Sequence, residues 1–197
     1  MKQAFVQLRA AVLATLALAF VCCGLYPLVV FGVAQLAFRD RANGSLIVDG
    51  SGVVRGSSLI GQAFVGDKYF HSRASAAGKG YDAANSGGSN LGPTSRALRD
   101  AIRERIEAFR RENGLQETES VPADAVTASG SGLDPHVSAE TARAQIHRVA
   151  AARGLAPAAV AALVERAVER PQFGFLGEPR VNVLRLNMAL ERMNGSR

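Results

Sequence analysis

The chain begins with a long apolar segment and continues as short apolar and polar stretches in alternation. No charged residue occurs between Ala10 and Phe38. About 20 apolar residues in a helix cross the roughly 30 Å of hydrocarbon in a bilayer, and a helix satisfies its own backbone there. The pattern therefore predicts one transmembrane helix at residues 10–38, preceded by a short N-terminal segment at residues 1–9.

Two other interpretations of this segment are a cleaved signal peptide and a lipoprotein signal. The apolar region of a signal peptide spans about 7–15 residues and ends at a small-residue cleavage site. Here the apolar residues continue to Phe38 without such a site. A lipoprotein signal ending at Cys22 or Cys23 would follow Ala19-Phe20-Val21, which is bulkier than such signals tolerate. We therefore favour an uncleaved helix.

The predicted helix contains a proline. Pro27 follows Tyr26, and a proline removes one backbone donor and bends a helix, which is tolerated where neighbouring helices repack around it. Gly24 and Gly32 allow close contact between helices, although they lack the four-residue spacing of a dimer motif. The helix is either packed against other membrane helices or a bare anchor, and the residues do not decide between these.

The orientation of the helix is weakly marked. Lys2 and Arg9 precede it, and Arg39 and Arg41, offset by Asp40, follow it. The positive-inside count is therefore nearly balanced. A first helix this close to the start slightly favours a cytoplasmic N-terminus and an external domain.

The remaining residues, 39–197, predict one α+β domain. Short strands are indicated at Ser45–Asp49, Val53-Val54 and Ser58–Gln62, with a further extended segment at Tyr69–His71. Turns are predicted at Asp49-Gly50 and Gly66-Asp67.

Apolar residues at three- and four-residue spacing predict helices in the rest of the domain. One begins after a Thr94 or Ser95 cap and ends at Asn113-Gly114. A second helix is capped by Ser138 and closed by Gly154, and a third begins near Pro157 and includes Val168. The segment from Val181 could be strand or helix, and Val183, Leu186, Leu190 and Met193 fit helical spacing better.

Composition excludes several classes of function. The net charge of +6 comes with basic residues scattered among acidic ones, so no nucleic-acid surface is predicted. Both cysteines lie in the apolar segment, which leaves the domain without a disulfide, a thiolate nucleophile or a cysteine zinc site. His71, His136 and His147 are far apart in sequence, so no metal site is predicted. A lysine-bearing phosphate loop is also missing from the sequence.

One loop combines residues that could carry chemistry. Ser129, Ser131, Asp134 and His136 lie close together in sequence and would suit a membrane-anchored hydrolase, although serine and aspartate also cap turns. A structural or partner-binding loop is the more economical interpretation, and the same holds for Ser89-Asn90. The Glu178–Arg180 segment suggests an ion pair or a surface turn. By residue chemistry alone, the chain is a membrane-anchored, non-enzymatic α+β protein.

Short motifs cover nearly the whole chain in a fixed order. They are Gly24–Val30, Gln35-Leu36, Asn43–Ile47, Gly56–Gln62, Tyr69–Arg73, Gly87–Pro93, Val121–Asp124, Ala128–His136 and Gly177–Asn187. Each is weak by itself, but together they resemble one family specifically: the C subunit of the Kdp high-affinity potassium-transporting P-type ATPase. Ala74 departs from the proline usual in that family, which affects only a local turn.

The resemblance implies a non-catalytic accessory subunit of an ATP-driven potassium importer in a bacterial inner membrane. Residues 1–9 would be cytoplasmic and residues 39–197 external, in the periplasm. The implied partners are a channel-like potassium-translocating subunit, a P-type ATPase subunit, a small single-helix subunit and membrane lipid. The family's C subunit is described as a catalytic chaperone that raises the ATP affinity of the ATPase subunit. No cofactor is expected to bind this chain tightly, and ATP would be engaged through the ATPase subunit.

Candidate partner-contact or structural positions lie within the matching motifs. They are Tyr26, Pro27, Asn43, Gly44, Gly61, Gln62, Ser89, Asn90, Ser129, Gly130, Ser131, Gly132, Asp134, His136, Glu178, Arg180 and Asn182.

Overall fold

The computed structural model describes residues 2–194, which divide after Leu46 into a helical N-terminal unit and a larger unit of helices and small sheets. The N-terminal unit contains one helix that is long and apolar enough to cross a membrane. The predicted fold class, an α+β domain with one N-terminal transmembrane helix, is confirmed.

The N-terminal helix extends from Lys2 to Ala37. It consists of α1 (Lys2–Ala19), a π-helical segment (Phe20–Leu25) and α2 (Tyr26–Ala37), and a short α3 (Arg39–Ala42) follows. At about 1.5 Å per residue, it is roughly 54 Å long, which exceeds the hydrocarbon thickness. The helix therefore extends beyond the predicted membrane span of residues 10–38 at its N-terminal end, where its polar residues would lie outside the hydrocarbon.

The π-helical segment lies directly before Pro27. The backbone N–H of Tyr26 donates to the carbonyl of Val21, five residues earlier. A proline cannot donate, and its ring clashes with the carbonyl four residues earlier, here that of Cys23. A widened turn accommodates both problems, and such turns are a recognised cause of helix bends.

The larger unit contains two small sheets and six helices among its described residues. The first sheet pairs β1 (Leu46–Val48) with β2 (Val54–Ser57). The second is antiparallel and contains β3 (His136–Ser138), β4 (Val168–Glu169) and β5 (Arg180–Asn182) in the order β3-β5-β4, which sets Val137 and Val168 opposite Val181. The helices are α4 (Arg96–Asn113), α5 (Ala123–Val126), α6 (Ala139–Ala144), α7 (Ile146–Arg153), α8 (Pro157–Ala167) and α9 (Val183–Asn194).

The core forms where α7, α8 and α9 meet the second sheet. Apolar residues recur at helical spacing on α9, so Leu186 and Leu190 both face inward. The buried cluster consists of Phe70, Val137, Ala142, Ile146, Val149, Ala150, Val160, Leu163, Val164, Val181, Val183, Leu186 and Leu190.

Most of the predicted helix ends are confirmed. The Ser95 hydroxyl accepts from the N–H of Leu98 at the start of α4, and Gly114 ends that helix in the left-handed conformation. Ser138 caps α6 in the same way, Gly154 ends α7, and Pro157 is the first residue of α8. These ends follow from local chemistry, because a cap satisfies backbone donors that the first turn leaves unpaired.

Two helix predictions need correction. The predicted helix after Ser138 is two helices, because the chain breaks at Gln145, whose side chain binds the backbone of another segment. Val168 begins β4 and does not extend α8, because it pairs with Val181 across the sheet. The segment from Val181, for which the sequence allows strand or helix, begins as β5 and continues as a helix from Val183.

Two predicted extended segments are not strands. Ser58–Gln62 is a turn followed by irregular backbone. Tyr69–His71 is also irregular, but side chains bind its backbone. Asn187 accepts from the N–H of Phe70 and donates to its carbonyl, both at 2.9 Å. Gln145 makes the same pair of bonds with His71, at 2.7 and 3.1 Å. Two amides thus replace the strand partner that the sequence predicted.

Candidate functional site

The loop from Ala128 to His136 packs its backbone against two other loops. The N–H of Gly61 donates to the carbonyl of Leu133 at 2.8 Å, and that of Gly87 donates to the carbonyl of Ser131 at 2.9 Å. Three of the motifs that carry the family resemblance therefore meet here. The backbone groups that form these two bonds hold the three loops together.

Two glycines make this close approach feasible. Gly132 has φ +67°, and a Cβ there would lie 2.6 Å from the Ala77 nitrogen and 2.7 Å from the Gly87 oxygen. A Cβ at Gly61 would lie 2.5 Å from the Asp134 carbonyl oxygen. Gly130, by contrast, has open space around it. The glycines at 61 and 132 are packing positions.

Asp134 is the acidic centre of the loop. Its Oδ2 pairs with Arg73 Nη1 at 3.0 Å, and its Oδ1 accepts from the backbone N–H of His136 at 3.0 Å. Burial by itself would raise the pKa of Asp134, but hydrogen bonds from His136 and the charge and hydrogen bond of Arg73 outweigh it, so the pKa is lowered. The carboxylate is thus held ionised by its neighbours.

His136 faces a carboxylate at each ring nitrogen. Its Nδ1 lies 3.5 Å from Asp134 Oδ1, and its Nε2 lies 3.6 Å from Glu169 Oε2. Glu169 in turn pairs with Arg180 at 3.3 Å. Of the two alternatives for the Glu178–Arg180 segment, the ion pair is not the one formed, because Arg180 pairs with Glu169, which lies opposite it across the paired strands β4 and β5.

An open cleft of about 460 Å³ lies beside this charged group. Its titratable lining consists of Arg73, Asp124, Asp134, His136, Glu140, Glu178 and Arg180. Carboxylates outnumber arginines by four to two, so the local field disfavours a triphosphate. The cleft is a poor direct site for ATP.

The nucleophile and base that the hydrolase interpretation requires are not paired. Ser129 is buried, and the Ser131 hydroxyl accepts from the N–H of Leu133. Within residues 2–194, neither hydroxyl hydrogen-bonds His136, whose two nitrogens face Asp134 and Glu169. A general base must lie within hydrogen-bond reach of the nucleophile whose proton it accepts. This geometry therefore favours a structural role for the loop.

Asp124 is a site residue that the sequence analysis did not single out. Its Oδ2 accepts from the N–H of Ser138 at 2.7 Å, and its Oδ1 accepts from the hydroxyls of Ser138 and Thr141 at 2.8 and 2.7 Å. It thereby ties α5 to the start of α6. Its place in the Val121–Asp124 motif was the available signal.

Further candidates stabilise local structure. The Asn43 amide donates to the carbonyl of Arg39 and pairs with Gln35, which closes the end of the N-terminal helix, and Gly44 has φ +89°. Gln62 donates to the carbonyl of Arg55 at 3.0 Å.

The other candidates are divided between the interior and the surface. Asn182 is buried, donates to the carbonyl of Ser58 at 2.9 Å and accepts from the N–H of Arg185, so it caps α9. Ser89 and Asn90 are exposed, and Asn90 has φ +52°. Neither lies in the cleft beside Asp134.

Comparisons with known proteins give one consistent result. Residues 8–192 match the family model described as KdpC: K+-transporting ATPase, c chain. The potassium-transporting ATPase KdpC subunit of Nitratidesulfovibrio vulgaris is 56% identical over 191 residues, covering 96% of this chain and 95% of that protein. The KdpC subunit of Myxococcus xanthus is 57% identical, covering 87% and 81%, and that of Mycobacterium bovis is 54% identical, covering 85% and 88%.

The first test concerns the packed glycine. Gly132→Ala should lower the free energy of unfolding by about 2–4 kcal/mol, since the new Cβ meets backbone atoms and the residue has a left-handed φ. The measurement is urea unfolding of the full chain in detergent, followed by circular dichroism. Gly130→Ala is the matched control and should change stability by less than about 0.5 kcal/mol. Equal effects at the two positions would contradict the packing role.

The second test concerns pH. Since the pKa of folded Asp134 is lowered, its contribution is complete above the unfolded value of about 3.9 and is lost as pH falls through the folded value. Asp134→Asn lacks this titration, so its unfolding free energy should fall less than that of the wild type between roughly pH 6 and roughly pH 3. Urea unfolding across this range measures the difference.

The exposed Asp100 on α4 provides the control for this experiment. Asp100→Asn should keep the wild-type dependence of stability on pH. A wild-type pH profile for Asp134→Asn would show that the Arg73–Asp134 pair contributes nothing measurable.

Proposed function

The chain belongs to the KdpC family, the c chains of K+-transporting ATPases, and we propose that it assembles and stabilises the channel-like and P-type ATPase subunits of such a complex without catalysing a reaction itself. The observation that carries this proposal is the internal use of the candidate site. Asp134, His136 and the neighbouring glycines bind or pack against other parts of the same domain. An assembly role requires no reactive centre.

The N-terminal helix supports an assembly role. Its apolar side chains are exposed along both α1 and α2, and a π-helical segment widens it before Pro27. Apolar burial gives little drive for helix association in lipid, so close packing and polar contacts must supply it. A widened turn that contains Gly24 offers a shape that neighbouring helices can match, whereas a bare tether gains nothing from it.

We propose that the N-terminus is cytoplasmic and the domain periplasmic. Lys2 and Arg9 lie at the N-terminal end of the helix, before its uncharged apolar stretch. In this orientation the domain does not meet cytoplasmic ATP. Any gain in the ATP affinity of the ATPase subunit, the chaperone role implied by the family resemblance, would then act through the assembled complex and not through nucleotide bound to this chain.

Site-directed labelling tests the orientation. After Cys22 and Cys23 are changed to serine, Lys79→Cys on the exposed domain surface should react with a membrane-impermeant maleimide in intact spheroplasts. Gln3→Cys at the start of the helix should react only after lysis. The reverse pattern would place the domain in the cytoplasm.

A helix exchange tests the assembly role. Replacing residues 10–38 with an unrelated apolar helix of equal length should keep the protein in the membrane but release it from the ATPase and channel subunits in detergent, because each lost helix contact weakens association by about 1 kcal/mol. The measurement is co-purification with those subunits and growth at limiting potassium.

The control for the exchange keeps Gly24, Tyr26, Pro27 and Gly32 in the foreign helix. This variant should recover part of the association. Full retention of the complex by the plain exchange would show that the soluble domain alone carries assembly.

A phosphate-release assay tests the absence of catalysis. The purified full chain should release no phosphate from ATP above the buffer blank, because its cleft is acid-rich and its sequence has no lysine-bearing phosphate loop. Release that disappears after a contaminating pump is removed would be assigned to that pump, whereas release that survives its removal would contradict the proposal. Release that the Asp134→Asn substitution abolishes would contradict the proposal and favour a hydrolase.

A further inference from the structure

The loop between β4 and β5 contains a turn that two backbone hydrogen bonds close. The N–H of Gln172 donates to the carbonyl of Leu176 at 2.9 Å, and the N–H of Leu176 donates back to the carbonyl of Gln172 at 2.9 Å. We name residues Gln172–Leu176 the hairpin tip. This pair of bonds holds its side chains in a defined arrangement.

The hairpin tip presents large apolar side chains to solvent. Phe173 is 85% exposed, Phe175 is 75% exposed and Leu176 is 49% exposed. Phe173 also has φ +54°, a conformation that is unfavourable for a bulky residue. Exposed apolar groups held by a strained backbone give the isolated domain no packing benefit. Such a feature points to contact with another apolar phase.

Arginines flank the hairpin tip. Residues 166–185 contain four arginines, Arg166, Arg170, Arg180 and Arg185, and two glutamates. All four arginines are exposed. Arg180 and Arg185 share one carboxylate, that of Glu169, at 3.3 and 3.8 Å, so the group keeps a net positive charge. Aromatic and aliphatic side chains bordered by basic residues are typical of segments that bind the surface of an anionic bilayer.

We propose that the hairpin tip inserts its two phenylalanines and its leucine into the anionic lipid surface of the membrane that the N-terminal helix spans. The tip is small, since three such side chains bury roughly 500 Å², less than the roughly 800 Å² that each partner buries in a standard protein interface. A chain that is already anchored raises the effective concentration of lipid at the tip, so a weak contact suffices. The inference depends on the membrane anchor and is independent of the proposed assembly role.

The sequence allows a direct test, because the chain contains no tryptophan. Phe175→Trp therefore places a single fluorophore at the hairpin tip. Val65→Trp is the matched control, since Val65 is an apolar residue of the same domain that is 83% exposed and lies outside the hairpin. Each full-length variant is reconstituted alone in nanodiscs that contain phosphatidylglycerol, with and without bromine on the acyl chains.

Bromine quenches tryptophan only at short range. The emission of Phe175→Trp should fall about twofold in brominated nanodiscs, and that of Val65→Trp should stay unchanged. Adding Phe173→Ser and Leu176→Ser to Phe175→Trp should abolish the quenching, because the apolar surface is then lost. Replacing phosphatidylglycerol with phosphatidylcholine should reduce it, and equal quenching in both lipids would overturn the role assigned to the arginines.

Three results would overturn lipid insertion. The first is no quenching of Phe175→Trp in brominated nanodiscs. The second is equal quenching of Val65→Trp, which would mean that the whole domain lies on the lipid without using the tip. The third is a blue shift of the Phe175→Trp emission that occurs only in the assembled complex and without bromine quenching, which would assign the tip to a protein partner. Circular dichroism and urea midpoints equal to those of the wild type confirm that the variants are folded.

Discussion

The domain depends on three polar side chains that hold irregular backbone inside its core. Gln145 and Asn187 bind both backbone groups of His71 and Phe70. Arg148 is 8% exposed and donates to the carbonyls of Asp67 and Tyr69 at 2.8 and 2.9 Å. An unpaired buried backbone group costs about 1–3 kcal/mol, so the Phe70 ring can fill the core only because these side chains satisfy the backbone around it.

Outside the core, the glycine-rich loops are also held together by contacts other than strand pairing. Downstream of His71, Arg73 reaches Asp134, and the loop that carries Asp134 packs on Gly61 through backbone contact. Segments far apart in sequence are thus joined without a strand ladder between them. Side-chain amides, an arginine guanidinium and glycine contacts hold distant segments together, which in many proteins is the role of a larger sheet. The described part of the domain therefore needs only two small sheets.

Structural features that depend on neighbouring residues were predictable from the sequence, whereas features that depend on distant residues were not. The caps at Ser95 and Ser138 follow from chemistry within one helical turn, and the apolar helix follows from composition. Val168 carries helical spacing but pairs with Val181 in a sheet, because strand pairing depends on residues that the spacing cannot reveal. Asn187 interrupts the apolar face of α9, which marks it as a buried polar residue, but its partner Phe70 lies 117 positions away.

At the candidate site, too, the sequence motifs do not reveal which residues contact a partner. The motifs that make the family recognisable include the loop from Ala128 to His136. Backbone and side-chain groups of this loop form contacts within the domain. Such motifs identify the fold because that fold needs glycine and paired charge at those positions. The groups that the domain leaves exposed, among them Phe173 and Phe175, lie outside this loop. Recognition of a family through its packing motifs therefore says little about its contact surfaces, which must be sought where apolar or charged side chains have no structural use within the chain.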